Sequence, residues 1–164
     1  VSARLESLVA DFAARFGALP SSSEPGASAA SGQVTVQMLD FSRRGLHWEA
    51  VLPAERVVDA GRWFAERGFA LDTITGLDWL AEAQMEVVYD FFHPVHFWRA
   101  AVRTRVPRAQ PELPTLSEVF PGAAWHERET HDFFGIRFVG HPNLTPLLLP
   151  EDAQFHPLRK DFTP

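Results

Sequence analysis

A chain of 164 residues, 46% of them hydrophobic, suits one core with an appendage. Its 21 acidic against 15 basic side chains argue against nucleic acid as a partner, and the absence of cysteine excludes disulfides, a thiol nucleophile and an iron–sulfur cluster held by this chain. No stretch approaches the roughly 20 apolar residues of a membrane-spanning helix, residues 1–8 lack the basic-then-apolar pattern of a secretory signal, and a surplus of the fourteen Phe and five Trp outside a core would mark a contact surface.

Residues 2–16 predict an amphipathic helix, because Leu5, Leu8, Val9, Phe12 and Phe16 recur at spacings of three and four. Ser2 can cap its start and Gly17 can end it. Residues 20–33, rich in Ser, Ala, Gly and Pro, can bury little and are expected to form a flexible loop. Strands follow over 34–39 and 46–52, joined by a turn at 40–45. Pro53 suits the first turn of a helix over 54–67, which Gly68 stops. A third strand is expected over 69–75. Residues 85–92 and 95–106 are the clearest strands: Met85, Val87, Tyr89 and Phe91 share one side, and Trp98, Ala100, Val102 and Val106 oppose Arg99, Arg103 and Arg105. His93-Pro94 supplies the bend between them.

The order α-β-β-α-β-β-β predicts an α+β fold over residues 1–106, a two-layer sandwich with helices on one face of a mixed five-stranded sheet. Pro107, Pro111 and Pro114 mark a boundary. Residues 107–164 are then expected to hold a helix within 116–134 and, after Gly135, an irregular, extended, proline-rich tail.

The densest chemistry lies in His126-Glu127-Arg128-Glu129-Thr130-His131-Asp132-Phe133-Phe134-Gly135. On a helix Glu127 and His131 are neighbours, as are Arg128 and Asp132. Glu129 and Asp132, three apart, read either as a paired acid and base or as carboxylates held by arginines of this chain or a neighbour. The second reading is preferred, with no catalytic residue expected. Histidines offer no convincing metal set: Pro94 separates His93 from His96, His126 and His131 are five apart, and His141 and His156 each precede a proline. No G-x-G-x-x-G, phosphate-binding loop or G-x-S-x-G elbow is present. Gly135 and Gly140 are expected to serve positive φ or close approach. The tail, with its Pro146-Leu147-Leu148-Leu149-Pro150 run, is either a stiff apolar strip for docking on another protein or a strap wrapped over its own sheet.

The run Glu127-Arg128-Glu129, two residues, Asp132-Phe133-Phe134-Gly135-Ile136, then Phe138-Val139-Gly140-His141-Pro142, resembles the signature of the complex I 30 kDa subunit family. So does the closing His156-Pro157-Leu158-Arg159-Lys160-Asp161-Phe162. Thr75-Gly76-Leu77-Asp78-Trp79 adds weaker support. The resemblance covers about residues 53–164. It departs from the family pattern at Thr145-Pro146, where a basic pair is usual, and at Phe155, where Gly is usual; many relatives also continue beyond the position of Pro164. The resemblance implies a non-catalytic subunit of the peripheral arm of an NADH–quinone oxidoreductase, with FMN and iron–sulfur clusters in partner subunits and no cofactor or metal on this chain. It implies packing beside a 49 kDa-type subunit, on the cytoplasmic face of the inner membrane, through the signature residues just quoted. A homologous place in a membrane-bound energy-converting hydrogenase or formate-oxidising complex is the alternative it implies.

Overall fold

In the computed structural model, which describes residues 2–20 and 33–163, the chain opens with α1 (Ala3–Phe16). Its ends lie where the sequence placed them. Ser2 Oγ accepts the Arg4 N–H, satisfying one of the free donors of the first turn, and Gly17 leaves the helix at φ +65. Leu5, Val9, Phe12 and Phe16 are the buried stripe. The loop expected over 20–33 falls mostly on residues 21–32, outside the described residues. On either side lie β1 (Leu19–Pro20) and β2 (Thr35–Met38).

The simple turn expected at 40–45 is instead a one-turn helix, α2 (Phe41–Arg44). The Asp40 carboxylate accepts from both the N–H and the hydroxyl of Ser42, which starts the turn, and Gly45 ends it at φ +68. β3 (Trp48–Val51) follows, then a 3-10 turn (Ala54–Arg56) entered from Pro53 and continued by α3 (Val57–Glu66). β4 (Ala70–Trp79) runs further than expected, because β5 (Gln84–Phe92) pairs with it as far as Trp79 opposite Gln84. β6 begins later than expected, at Arg99–Pro107, since residues 94–98 form the tip of the hairpin.

The five expected strands make one mixed sheet, lengthened at its edge by the two-residue β1, in the order β1-β2-β3-β6-β5-β4. β3 and β6 run parallel, and β6–β5–β4 is an antiparallel meander. Trp48, Ala50, Met85, Val87, Tyr89, Phe91, Ala100 and Val102 are buried on one face. α1 and α3 pack there through an aromatic cluster: Phe64 stacks on Phe91 at 4.0 Å, and Phe12 meets Trp48 edge-on at 5.0 Å. The other face carries the charged partners of the alternation. Arg103 Nε donates to Glu49 at 3.0 Å and Trp79 Nε1 donates to Glu86 at 2.6 Å.

β7 (Glu112–Pro114), α4 (Ala123–Phe134) and β8 (Arg137–Val139) complete the elements. Helix α4 falls within the expected 116–134, starting at Ala123 after Pro121-Gly122. The segment after Gly135, expected to be irregular, first forms β8, which pairs in parallel with β7 in a second, two-stranded sheet. Leu113, Leu116, Ala123, Ile136 and Phe138 join the same buried cluster as the main sheet. The Phe134 ring lies directly on Gly76 of β4, where an added Cβ would stand 2.6 Å from Cδ2. Gly76→Ala is therefore expected to cost about 1–3 kcal/mol by overpacking. A wild-type melting temperature for that variant would mean that α4 can shift on the sheet freely.

A candidate interaction site at the signature helix and its strap

A helix leaves its last four carbonyls without intrahelical partners. In α4 those belong to His131, Asp132, Phe133 and Phe134, and all four are met. The Gly135 N–H donates to His131 O at 2.8 Å, which φ +71 at Gly135 permits. His156 Nδ1 lies 2.8 Å from Asp132 O, and because a carbonyl can only accept, Nδ1 must carry the proton. The Leu158 N–H donates to Phe133 O at 3.1 Å, and Arg159 Nε donates to Phe134 O at 2.7 Å. Three of the four donors come from the closing His156-Pro157-Leu158-Arg159 motif, and the guanidinium also complements the negative end of the helix. A side chain at Gly135 would collide with this cap, 2.5 Å from both Arg159 Nη2 and His156 Nε2.

Further up α4, Asp132 Oδ2 accepts the N–H groups of Leu147, Leu148 and Leu149 at 2.8, 2.8 and 3.2 Å. Burial pushes this carboxyl up, but the three amides outweigh it and hold it below the usual carboxylate range. Arg128 completes the grip, Nε donating to Thr145 O and Nη2 to Pro146 O, with its guanidinium 5.4 Å from the Trp125 ring. The i,i+4 pairs expected on this helix, Glu127 with His131 and Arg128 with Asp132, therefore do not form. Exposed helix pairs contribute only about 0.3–0.5 kcal/mol, whereas a carboxylate beside three free amides makes charge-assisted bonds roughly twice as strong as neutral ones.

Glu127 points inward and is fully buried. Its Oε1 accepts the Leu116 N–H at 2.6 Å, and its Oε2 lies 2.5 Å from Thr115 Oγ1 and 3.9 Å from His141 Nε2. Burial raises its pKa to about 7 against the two hydrogen bonds that favour the charged form. His141 is a structural histidine: Nε2 meets Ala124 O at 3.0 Å and Nδ1 accepts the Asn143 N–H. Gly140, at φ +85, makes the turn that brings it there, with Pro142 exposed beyond. Glu129 and Asp132 do not make an acid–base pair. Asp132 is sealed by the strap, while Glu129 is exposed and has no ion-pair partner among the described residues.

The end of the strap is fastened to the main sheet through Arg108, to which sequence reasoning gave no role, and Asp78, which it quoted only within a stretch of weaker resemblance. Asp78 of β4 receives Arg108 Nε and Nη2 at 2.8 and 3.1 Å and the Lys160 N–H at 2.8 Å; Arg108 also donates to Asp161 at 2.5 Å. Arg108 is the largest cause holding the Asp78 carboxyl low, against burial. A signal for Asp78 did exist. It shares the alternation of Ile74 and Gly76, so it is a carboxylate on a buried strand face and requires a partner.

The tail is thus wrapped back over the end of α4 and the edge of the sheet, with part of its apolar surface still turned outward. Leu148 is 61% exposed, Phe155 and Leu158 are exposed too, and Trp125 of α4 is 62% exposed. Phe155 stacks on Phe162 at 5.6 Å.

Residues 50–164 match the model of the family described as respiratory-chain NADH dehydrogenase, 30 Kd subunit. An NADH-quinone oxidoreductase subunit of Roseiflexus castenholzii is 43% identical over 112 residues, which is 65% of this chain and 64% of that protein. Its counterpart in Nocardia farcinica is 45% identical over 82 residues, half of this chain and 32% of that protein. The matches thus span less than two thirds of these relatives. Among solved structures, a chain of an archaeal respiratory membrane complex, the membrane-bound sulfane sulfur reductase, superposes with a TM-score of 0.75 at 27% identity, covering 98% of this chain and 86% of that one. A trypsin-resistant fragment of Nqo5 gives 0.54 at 35% identity over 59% of this chain and 82% of the fragment. Because that family model spans residues 50–164, a range that includes α4, β8 and the strap, the chain belongs to the 30 kDa subunit family of respiratory-chain NADH dehydrogenases.

Proposed function

We propose that this chain is a non-catalytic scaffold subunit in the peripheral arm of a proton-pumping NADH–quinone oxidoreductase. Electrons would pass from NADH through FMN and iron–sulfur clusters of partner subunits to quinone, on the cytoplasmic face of the inner membrane. The neighbour it would grip is a 49 kDa-type subunit. One observation carries this reading. The signature residues that point inward are used up within the chain, Glu127 beneath α4 and Arg128, Asp132, His156 and Arg159 in holding the strap, and this leaves Glu129, Trp125, Leu148 and Leu158 facing outward on a preformed surface. A surface ordered before it meets its partner loses little entropy on docking.

Glu129 supplies the test. Exposed and without an ion-pair partner among the described residues, it contributes little to the fold. Glu129→Ala should leave the melting temperature within about 1 °C, as surface substitutions away from special features do. The same variant should lower recovery of the 49 kDa-type subunit in a pull-down of the assembled complex, on the order of fivefold or more for a partner-facing carboxylate whose loss costs over ~1 kcal/mol. Recovery at the wild-type level would count against the reading.

A second assembly is supported by the superposition on a chain of the sulfane sulfur reductase complex, which extends over 98% of this chain. A related membrane complex, such as an energy-converting hydrogenase or a formate-oxidising complex, would use the same scaffold. Purification from native membranes and identification of the co-purifying large subunit would separate the two.

A further inference from the structure

The β5–β6 hairpin closes through His93-Pro94-Val95-His96-Phe97-Trp98, and Phe97 there has φ +56. The left-handed region crowds Cβ against the backbone, so a bulky L side chain stays in it only where its surroundings impose it. Here they do. The Phe97 N–H donates to His93 O at 2.8 Å, and the His93 N–H donates to Trp98 O at 2.9 Å. His93 Nδ1 accepts from the N–H groups of Val95 and His96, at 3.2 and 3.3 Å. The His93 ring is held edge-on to Phe69, and His96 stacks on Trp98 at 4.3 Å. The tip is a built structure, and its product is two side chains the fold does not bury: Val95 is 71% and Phe97 69% exposed. A glycine at position 97 would close the same turn without strain. Backbone strain kept in order to present an exposed aromatic ring is characteristic of functional positions.

The apolar surface continues beside the tip. Met38, Phe41, His47, His96 and Trp98, with Ser2 and Asp40 among them, line a cleft at the same end of the molecule, and Phe41 stacks on His47. Aromatic and Met side chains without Lys match the composition of protein contact surfaces.

We infer that the Val95–Phe97 tip is a docking knob whose Phe97 ring seats in an apolar pocket of a folded neighbouring subunit; this rests on the reading of the chain as part of a larger assembly. A bilayer is the poorer fit, because only two apolar side chains project and residues 93–98 contain no Lys or Arg to hold anionic headgroups. A second copy is disfavoured by the net charge of −6, which opposes close approach of like chains. A rigid aromatic with few rotamers to freeze is the usual anchor at the centre of a protein interface.

The test places a photoreactive phenylalanine analogue, p-benzoylphenylalanine, at position 97 of the full chain and irradiates the complex purified from membranes. A cross-link to a peptide of one identified neighbouring subunit is expected. In parallel, Phe97→Gly removes both ring and strain. The isolated variant should melt at or above the wild-type temperature, while the fraction retained in the complex after washing falls on the order of tenfold, and Phe97→Leu should restore most of it. A lipid adduct, an adduct to a second copy, no adduct, or full retention of Phe97→Gly would each overturn the knob. If the wild-type chain assembles and position 97 reports nothing, only the knob fails. If the wild-type chain co-purifies with no complex and gives no adduct, the scaffold reading fails with it.

Discussion

Asp132→Ala is expected to release the strap and to cost the isolated chain about 3 kcal/mol. The carboxylate is buried and answers three consecutive amides, those of Leu147, Leu148 and Leu149. Hydrogen bonds to charged groups contribute about 1.5–3 kcal/mol each when the donor is otherwise unmet. The amides here lie on half-buried and exposed residues that water can reach once the strap lifts, which keeps the total near the value of one or two such bonds. Asp132→Asn keeps an acceptor oxygen and loses the charge, so its cost should be smaller, about 1 kcal/mol. The pH dependence follows from the lowered pKa. A carboxyl whose folded pKa lies below its ordinary 3.8 contributes stability that is fully present above that value and is lost as pH falls through the folded pKa. Thermal melts at pH 7 and pH 3, with and without the substitution, would show the two curves converging in acid. Limited proteolysis would show cleavage around residues 145–150 appearing in Asp132→Ala. Wild-type melting and protease resistance in that variant would show that the cap of α4, not Asp132, holds the strap.

The parts of the fold that were legible in the sequence are those that local periodicity and capping determine. α1 with Ser2 and Gly17 at its ends is one, and the two-faced alternation of β5 and β6 is another. What was not legible depends on partners far away in the chain. β8 needs β7 some twenty-five residues earlier, with Arg137 opposite Glu112, and nothing in its three residues announces this. The expected pairing of Arg128 with Asp132 assumed that helix neighbours choose each other. Both instead took backbone groups of residues 145–149, which a tail of prolines and leucines presents in extended form. Gly135 and Gly140 were read correctly as positions of unusual backbone, although the reason at Gly135 is double: positive φ and the His156 and Arg159 cap packed against its Cα. The signature is therefore mostly an intramolecular device. Of its charged members, Glu127, Arg128, Asp132, Arg159 and Asp161 have partners within the chain and Lys160 lies over the Trp79 ring, while Glu129 faces outward and is the member proposed to meet a neighbour.

Glu127→Gln should make the chain more stable above pH 7 and remove one component of its pH dependence. In the folded chain burial raises this carboxyl to about 7, against an ordinary 4.5. Its surroundings are poor in compensation: the nearby Tyr89 hydroxyl is buried and has no hydrogen-bond partner among the described residues, and its own pKa is raised by burial and then by the Glu127 charge. The folded state therefore binds this proton more tightly than the unfolded chain. The stability it contributes is complete below pH 4.5, is lost as pH rises to 7, and is gone above that, a change of about 3 kcal/mol for a shift of this size. Glutamine reproduces the protonated form. Its oxygen can accept the Leu116 N–H, its amide can donate to Thr115 Oγ1, and the Thr115 hydroxyl remains free to donate to Ser117 Oγ at 2.8 Å. Alanine leaves the Leu116 amide unmet and a cavity behind, so Glu127→Ala should cost about 2–4 kcal/mol below pH 4.5, and the cost should shrink as pH rises through 7, where the wild-type chain loses the stability of its protonated Glu127. His156, whose pKa burial depresses, lowers stability as pH falls below its ordinary 6.5, but it does so equally in wild type and in Glu127→Gln, so the difference between them isolates residue 127. Denaturant titrations at pH 4.5, 6 and 8 measure that difference directly. Parallel curves for wild type and Glu127→Gln would mean that residue 127 takes up its proton at the same pH in both states, and the polar knot beneath α4 would then have to be held by an ionised glutamate.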